Sequence, residues 1–360
     1  MRVIGLMSGT SLDGIDVALL ETDGEGQIEA LGFASYPMPA ALATMIRQFL
    51  DRARQSEINW RDDPDVRLLR EAITQAHIDA IQAFRSGQDE AIELIGFHGQ
   101  TVWHDPLHHL TVQLSDGAAM ARAFNVPVVD QFRIDDVAAG GQGAPLAPLY
   151  HAALCHQAQL PCAVINIGGV ANLTFLGGMG EILAFDTGPG NALLNDWVAK
   201  RTGDIMDRDG ALARSGHFEQ STIDRWLQHP YFKAPAPKSL DRNHFDPWPD
   251  IADLSAADGA AHLTQFTAQS IALAVSQLPH VPEAFIICGG GRHNGWLMQV
   301  LAELVPGRVC ACEEVGWDGD ALEAQAFAWL AVRSMRGMVL SLPETTGVSQ
   351  PLSGGRVNMP

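Results

Sequence analysis

Residues 5–16 read GLMSGTSLDGID. The approach to this stretch, Arg2 to Leu6 (RVIGL), is short, apolar and β-branched, as a strand buried on both faces would be. Beyond it, Ile15 to Asp23 (IDVALLETD) is again strand-like and has no helical stripe. The polar residues are therefore the tip of a hairpin. A Walker-type loop would end in Lys-Ser or Lys-Thr and open a helix, but no Lys is present and no helix follows. A glycine-bearing hairpin tip still points N–H groups outward, and its Ser and Thr hydroxyls add donors, so it can cradle phosphate. An ordinary polar turn accounts for the same residues, and the stretch alone leaves both readings open.

The rest of the chain supplies a second hairpin of the same design. After a third strand come helices expected over Ala40 to Gln55 and roughly Asp65 to Ser86, the second with an apolar stripe through Val66, Leu69, Ala72, Ile73, Ala76 and Ile78. A strand from Glu93 to Phe97 ends in HGQTVWH, and a short strand VPVVDQF follows. The glycines of AAGGQGAPLAPLYHAAL suggest a crossing between domains. Then Cys162 to Gly178 (CAVINIGGVANLTFLGG) repeats the opening: strand, small tip at Gly168 and Gly169, strand. A third strand leads to DTGPGN, Asp186 to Asn191, which opens a helix at ALLNDWVAKR. Near the C-terminus AFIICGGGRHNGWLMQVLAEL is a buried strand, three glycines and an amphipathic helix. Such a duplication predicts two facing domains, each offering a hairpin tip to one cleft that could clamp a polyphosphate.

Composition narrows the classes of partner. The 360 residues suffice for two domains, and 47% hydrophobic with 18% charged residues describes a soluble globular protein. A formal net charge of −19 argues against a nucleic acid or an anionic membrane, which need a basic face. Cys155, Cys162, Cys288, Cys310 and Cys312 are odd in number and have no zinc spacing. With no signal-peptide pattern and no run of membrane-spanning length, they lead to the expectation of reduced thiols in a cytoplasmic protein. His98, His104, His108 and His109 match no zinc motif either.

Eight words carry a resemblance: GLMSGTSLDGID, FHGQTVWH, AAGGQGAPL, NIGGVANLT, FDTGPGN, MDRDG, CGGGRHN and ALEAQAFAWLA. In this order, from residue 5 to about residue 331, they resemble the anhydro-N-acetylmuramic acid kinases of the actin/hexokinase/Hsp70 ATPase superfamily. The resemblance implies an α/β, two-domain actin-like ATPase (ribonuclease H-like) fold with a cleft, divided at about 1–133 and 134–360, the final helix packing back toward the cleft. It implies an ATP- and Mg²⁺-dependent enzyme of cell-wall recycling that hydrolyses the 1,6-anhydro ring and phosphorylates O6. It leaves room for a homodimer. Gly9, Thr10, Ser11, Leu12, Asp13, Gly14, Ile15 and Asp16 would hold the β- and γ-phosphates. Gly168, Gly169 and Asn172 would form the second clasp, and Gly289, Gly290 and Gly291 the adenosine corner. Asp186 matches the family's catalytic base, and Gln100, Thr101, Arg133 and Glu323 match positions associated with the sugar. The family usually has Asp-Phe-Arg where this chain has Gln131-Phe132-Arg133. Met7 and Ser8 stand where the superfamily often has an acid, which leaves Asp13 and Asp16 as the magnesium candidates.

The chemistry can be set against those residues. Phosphoryl transfer needs positioning and charge neutralisation, which glycine-lined tips supply at close range because no Cβ blocks the approach. Opening the anhydro bridge needs a carboxylate as base for water. Asp186 would face the cleft, its ionised form favoured by N–H groups of the turn; alternatively it caps the following helix. Arg133 would pair bidentately with the lactyl carboxylate of muramate, or form a surface ion pair with Asp135 or Asp136. Glu323 lies on the last amphipathic helix, where a Glu most often faces solvent. Rival readings are a same-fold kinase for another amino sugar, distinguished by HGQT, Arg133 and Asp186, and an actin-like or Hsp70-like ATPase, which would carry long partner-binding insertions. A Rossmann dehydrogenase lacks its strand–GxGxxG–helix unit here.

Overall fold

The computed structural model describes residues 1–56, 58–86, 91–155, 160–241 and 244–360. The chain forms two compact units, one of Met1–His156 with Ala321–Pro360 and one of Gln157–Asp320. In the first, the strands are β1 (Arg2–Ser8), β2 (Gly14–Thr22), β3 (Ile28–Pro37), β4 (Leu94–Asp105), β5 (Leu110–Leu114) and β6 (Val128–Asp130). They form one sheet in the order β6-β4-β1-β2-β3, with β5 on β4 and a last short strand, Arg356–Asn358, antiparallel to β6. The second unit holds β7 (Cys162–Ile167), β8 (Val170–Leu176), β9 (Ile182–Pro189), β10 (Ala284–Cys288) and β11 (Arg308–Ala311), ordered β11-β10-β7-β8-β9. In both sheets the first three strands form an antiparallel meander and the next two main strands run parallel to the first. This is the duplication expected from the two hairpins.

The predicted helices over residues 40–55 and 65–86 are found at Ala40–Gln55 and Pro64–Phe84. The second starts at Asp63, whose carboxylate accepts the N–H groups of Asp65 and Val66, with Pro64 in the first turn where its missing N–H costs nothing.

Two sequence expectations are corrected here. The units do not divide at 133/134. The run Ala138 to Leu154 stays with the first sheet: Tyr150 on the helix Pro148–Leu154 is buried against Trp329 and donates to Gln325 Oε1 at 3.0 Å. Residues 321–360 also belong to the first unit, because the helix Leu322–Met335 packs on β1, β2 and β4. Nor is that helix amphipathic in the ordinary sense; Leu322 and Ala324 to Val332 are all buried. Its small residues meet strand glycines at close range. A Cβ on Gly5 would lie 1.9 Å from Ala324 O, and one on Gly96 2.1 Å from Phe327 O. Gly5 and Gly96 thus let a helix backbone rest on the sheet, a packing role. The far end of the helix is tied down by Trp329 Nε1 on Glu25 O, and by Arg333 and Arg336 on the carbonyls of Gly24 and Asp23. Among the described residues no helix is long and apolar enough to cross a membrane.

Candidate active site

In the first unit the hairpin tip runs from Gly9 to Asp13, where Leu12 N–H closes a turn on Gly9 O. Leu12 has a left-handed φ of 59°, and its side chain, like that of Ile15, is buried in the first core. Of the eight positions expected around phosphate, these two can contribute only backbone groups. Thr10, Ser11 and Asp13 are exposed, and Ser11 Oγ donates to Asp13 Oδ1 at 2.8 Å. Gly14, Ile15 and Asp16 already lie in β2, with Asp16 paired to Met7 and Ser35. Among the described residues no three His, Cys, Asp or Glu side chains converge as a metal site. Asp13 and Asp16 nevertheless supply hard oxygen donors, which suit Mg²⁺, an ion bound through one or two carboxylates plus substrate phosphates.

The HGQTVWH word does not end a strand; β4 runs through it to Asp105. A left-handed Gly99 and a register shift between Leu6 and Ser8 mark the point where the strand bends. Gln100 is fully buried and donates from Nε2 to Gly9 O at 3.1 Å, tying the sugar candidate to the hairpin tip. Thr101 Oγ1 accepts from Gln113 Nε2 at 3.3 Å. Gln131, at φ 56°, donates to Gln113 O at 3.1 Å and to Ser115 Oγ at 2.8 Å. The amide therefore orients the β5 end of this network rather than Arg133 directly.

Arg133 is held from three sides. Its Nε donates to His98 Nε2 at 3.0 Å, a terminal N–H donates to Gly143 O at 2.7 Å, and the guanidinium lies 5.9 Å from the centre of the Phe327 ring. Asp136, a rival partner in the sequence reading, is engaged elsewhere: it accepts Gly143 N–H at 2.6 Å and the Thr346 hydroxyl at 2.5 Å. His98 Nδ1 is 2.7 Å from Gly99 O, and its ring packs 4.5 Å from Phe327. Burial first, and then the Arg133 charge, hold this imidazole well below its ordinary pKa, so it is neutral. A neutral ring that accepts at Nε2 must carry its proton on Nδ1 and donate it to Gly99 O. Glu323, in the first turn of the helix Leu322–Met335, is exposed in this unit.

In the second unit Asp186 is not a helix cap. It lies within β9, whereas the helix Ala192–Thr202 begins after Asn191. Asp186 is paired across the sheet with Asn172, and Asn172 with Asn166, so three polar residues form one row. Its Oδ2 accepts Leu240 N–H at 2.7 Å, while Asp186 N–H donates to Lys238 O at 2.9 Å. The segment 238–240 is thereby laid along the sheet edge beside Asp186. Tyr231 donates its hydroxyl to Asp186 O at 2.6 Å, and burial together with the nearby carboxylate raises the phenol pKa, which keeps it a donor. Lys238 Nζ binds the carbonyls of Tyr231 and Ala234, closing the loop on itself. Sequence reasoning missed this loop because nothing local links residues 231–240 to Asp186.

The glycines of this unit fall into two kinds. Gly289 has φ 71°, and a Cβ there would sit 2.2 Å from Asn166 Oδ1; at Gly291 it would sit 2.5 Å from Ile167 Cβ. Both are required by the fold. At Gly168, Gly169 and Gly290 a Cβ would meet nothing nearer than 3.6, 3.7 and 4.0 Å, and none of the three has a left-handed φ. The protein's own packing leaves room for a side chain at these positions, which fits a site where something else approaches the backbone. The carbonyls of Gly168 and Gly169 are captured by N–H groups of Asn191 and Ala192 at the helix start, which fixes the tip.

The GGG corner is braced by residues with no role in the sequence reading. Arg292 donates to Gly289 O at 2.9 Å, to Glu313 at 2.7 Å and to Asp320 at 2.8 Å. The MDRDG word docks behind it: Asp209 accepts Gly295 N–H at 2.9 Å, and Asp207 accepts the N–H groups of Leu212 and Ala213.

Comparison with known proteins agrees with this arrangement. Residues 1–359 match the family described as anhydro-N-acetylmuramic acid kinase. The anhydro-N-acetylmuramic acid kinase of Acidiphilium cryptum is 50% identical over 362 residues, covering 100% of this chain and 99% of that protein. Its counterpart in Rhizorhabdus wittichii is 47% identical over 364 residues, with the same coverage. Among solved structures, component A of (R)-2-hydroxyglutaryl-CoA dehydratase from Acidaminococcus fermentans superposes with a TM-score of 0.50 at 10% identity, covering 93% of this chain and 99% of that one. At that identity the likeness concerns the fold, which is the two-domain actin-like ATPase architecture expected from the sequence. Matched along its whole length and identical to such relatives at about half its positions, the chain belongs to the anhydro-N-acetylmuramic acid kinase family.

Proposed function

We propose that the protein uses ATP to convert 1,6-anhydro-N-acetylmuramic acid to N-acetylmuramate 6-phosphate and ADP, in the cytoplasm, as a step of cell-wall recycling. Asp186 takes a proton from the water that attacks C1. The C1–O6 bond breaks, and O6 accepts the γ-phosphoryl group, so a single carboxylate serves both events. The observation that carries this reading is the anchoring of Asp186: a carboxylate set in a strand and held at Oδ2 by Leu240 N–H presents a fixed base. The open backbone at Gly168 and Gly169 and the exposed tip from Gly9 to Asp13 supply donors for the phosphates, and Gly289 to Gly291 form the corner for adenosine. Asp13 and Asp16 would hold magnesium, which neutralises phosphate charge when bound. Gln100, Thr101 and Glu323 belong to the sugar side of this reading, and Arg133 faces the lactyl carboxylate.

The test is ADP release with anhydro-N-acetylmuramate beside free N-acetylmuramate and N-acetylglucosamine. Turnover with the anhydro sugar is expected. Turnover confined to the free sugars would replace this reading with a same-fold kinase for another amino sugar.

A further inference from the structure

Arg133 reads a carboxylate best when its guanidinium plane is fixed, and His98 is the side chain that accepts from its Nε–H. We infer that His98 is a positioning residue for substrate selectivity: its Nε2 accepts the Arg133 Nε–H and locks the guanidinium in the orientation that reads the lactyl group. This deepens the proposal above and rests on its assignment of Arg133.

The geometry is specific to an imidazole in one tautomer. Nδ1–H is committed to Gly99 O at 2.7 Å, which turns the Nε2 lone pair toward Arg133 at 3.0 Å. The ring is 2% exposed and packs at a tilt of 45° against Phe327, the aromatic that also lies beneath the guanidinium. His98 and Arg133 thus share one wall. Gly143 O takes a second guanidinium N–H, so the plane is defined by two acceptors in different directions. An arginine pinned in this way keeps little rotamer freedom and loses correspondingly less entropy when it binds a carboxylate. His98 also sits two residues before Gln100 in β4, so the strand that carries the sugar candidates carries the residue that orients Arg133.

Two substitutions separate the roles of the ring nitrogens. In His98→Gln the side-chain oxygen can reach the place of Nε2 and accept from Arg133. In His98→Asn the amide can replace the Nδ1 donor to Gly99, but nothing accepts from Arg133 Nε–H. The readout is KM and kcat for anhydro-N-acetylmuramate, with calorimetric affinity for 1,6-anhydro-N-acetylglucosamine, which lacks the lactyl group. His98→Asn should weaken the lactyl-bearing sugar relative to the other roughly three- to tenfold, the scale of one lost hydrogen bond. Its KM for ATP should stay within about twofold, and His98→Gln should retain most of the selectivity.

Unchanged selectivity in His98→Asn, with Arg133→Ala losing it, would overturn the role of His98 and leave that of Arg133 standing. Unchanged selectivity in Arg133→Ala would overturn the assignment of Arg133 itself. Equal losses for both sugars in both His98 variants would make His98 merely structural. If the variants do not fold, ¹⁵N NMR of the wild-type imidazole decides: the inference requires the Nδ1–H tautomer with an accepting Nε2, and the opposite tautomer refutes it.

Discussion

The two sheets share one strand order but use it differently. On the second sheet, the third strand places Asp186 opposite Asn172; on the first, the third strand places Ser35 opposite Asp16. The third strand therefore carries a carboxylate at this row of the second sheet and a hydroxyl at the matching row of the first. The glycines differ as well. Gly5 and Gly96 of the first sheet are pressed against a helix backbone, whereas Gly168 and Gly169 of the second leave room for a Cβ at ordinary contact distance. The hairpin tips differ in the same sense: Leu12 and Ile15 anchor the first through the core, while the second is held by backbone bonds to the helix start. The two sheets share a topology but not the side chains and contacts along it.

The largest expected effect sharpens the chemical side of that contrast. Asp186→Asn preserves the shape of the site but cannot take a proton, so kcat should fall by about 10²–10⁴-fold. Binding of ATP should persist, since the glycine tips are untouched, and wild-type enzyme in H₂¹⁸O should carry the label at C1 and none in the phosphate bridge. Near-normal turnover of the variant would break the assignment.

Acid should expose a second asymmetry. His77 and His151, both in the first unit, are held down to about 4 by burial, against an ordinary value of 6.5. The unfolded chain then binds protons that the folded chain refuses. Their neutral forms cost the fold nothing above pH 6.5, and stability is lost as pH falls from there toward 4, by up to about 3 kcal/mol for each. His98 is shifted the same way, chiefly by burial. Hydrogen exchange between pH 7 and 4.5 should show β1, β2 and β4 losing protection before β7 and β8. The reverse order would mean that these histidines do not govern acid stability.

The glycine contrast gives the smallest and most local prediction. Gly96→Ala drives a Cβ into Phe327 O and should cost roughly 1–3 kcal/mol in denaturant titrations. Gly169→Ala has space for its methyl, so stability should change by less than about 0.5 kcal/mol. Its KM for ATP should nevertheless rise roughly tenfold, a loss of about 1.4 kcal/mol at the nucleotide. An unchanged KM would show that the second tip does not meet the phosphates.

Hydrophobic period and turn chemistry are written in consecutive residues, and for that reason the sequence determined both hairpins, the two long helices near the N-terminus, the strand–GGG–helix corner and the duplication that joins them. Family words then located Asp186, Arg133 and the sugar candidates. Tertiary structure decided what the residues of those words touch. Gly5 reads as one more small residue near a polar tip until the helix Leu322–Met335 is laid across it, and the same contact moves the C-terminal segment into the first unit. Asp186 reads equally well as a helix cap until Leu240, 54 positions later, donates to it. Arg133 looks like a partner for Asp135 or Asp136 until β4 brings His98, 35 positions earlier, to its Nε. Each of these facts depends on groups far apart in the chain, and local pattern carries no term for a neighbour that only folding supplies.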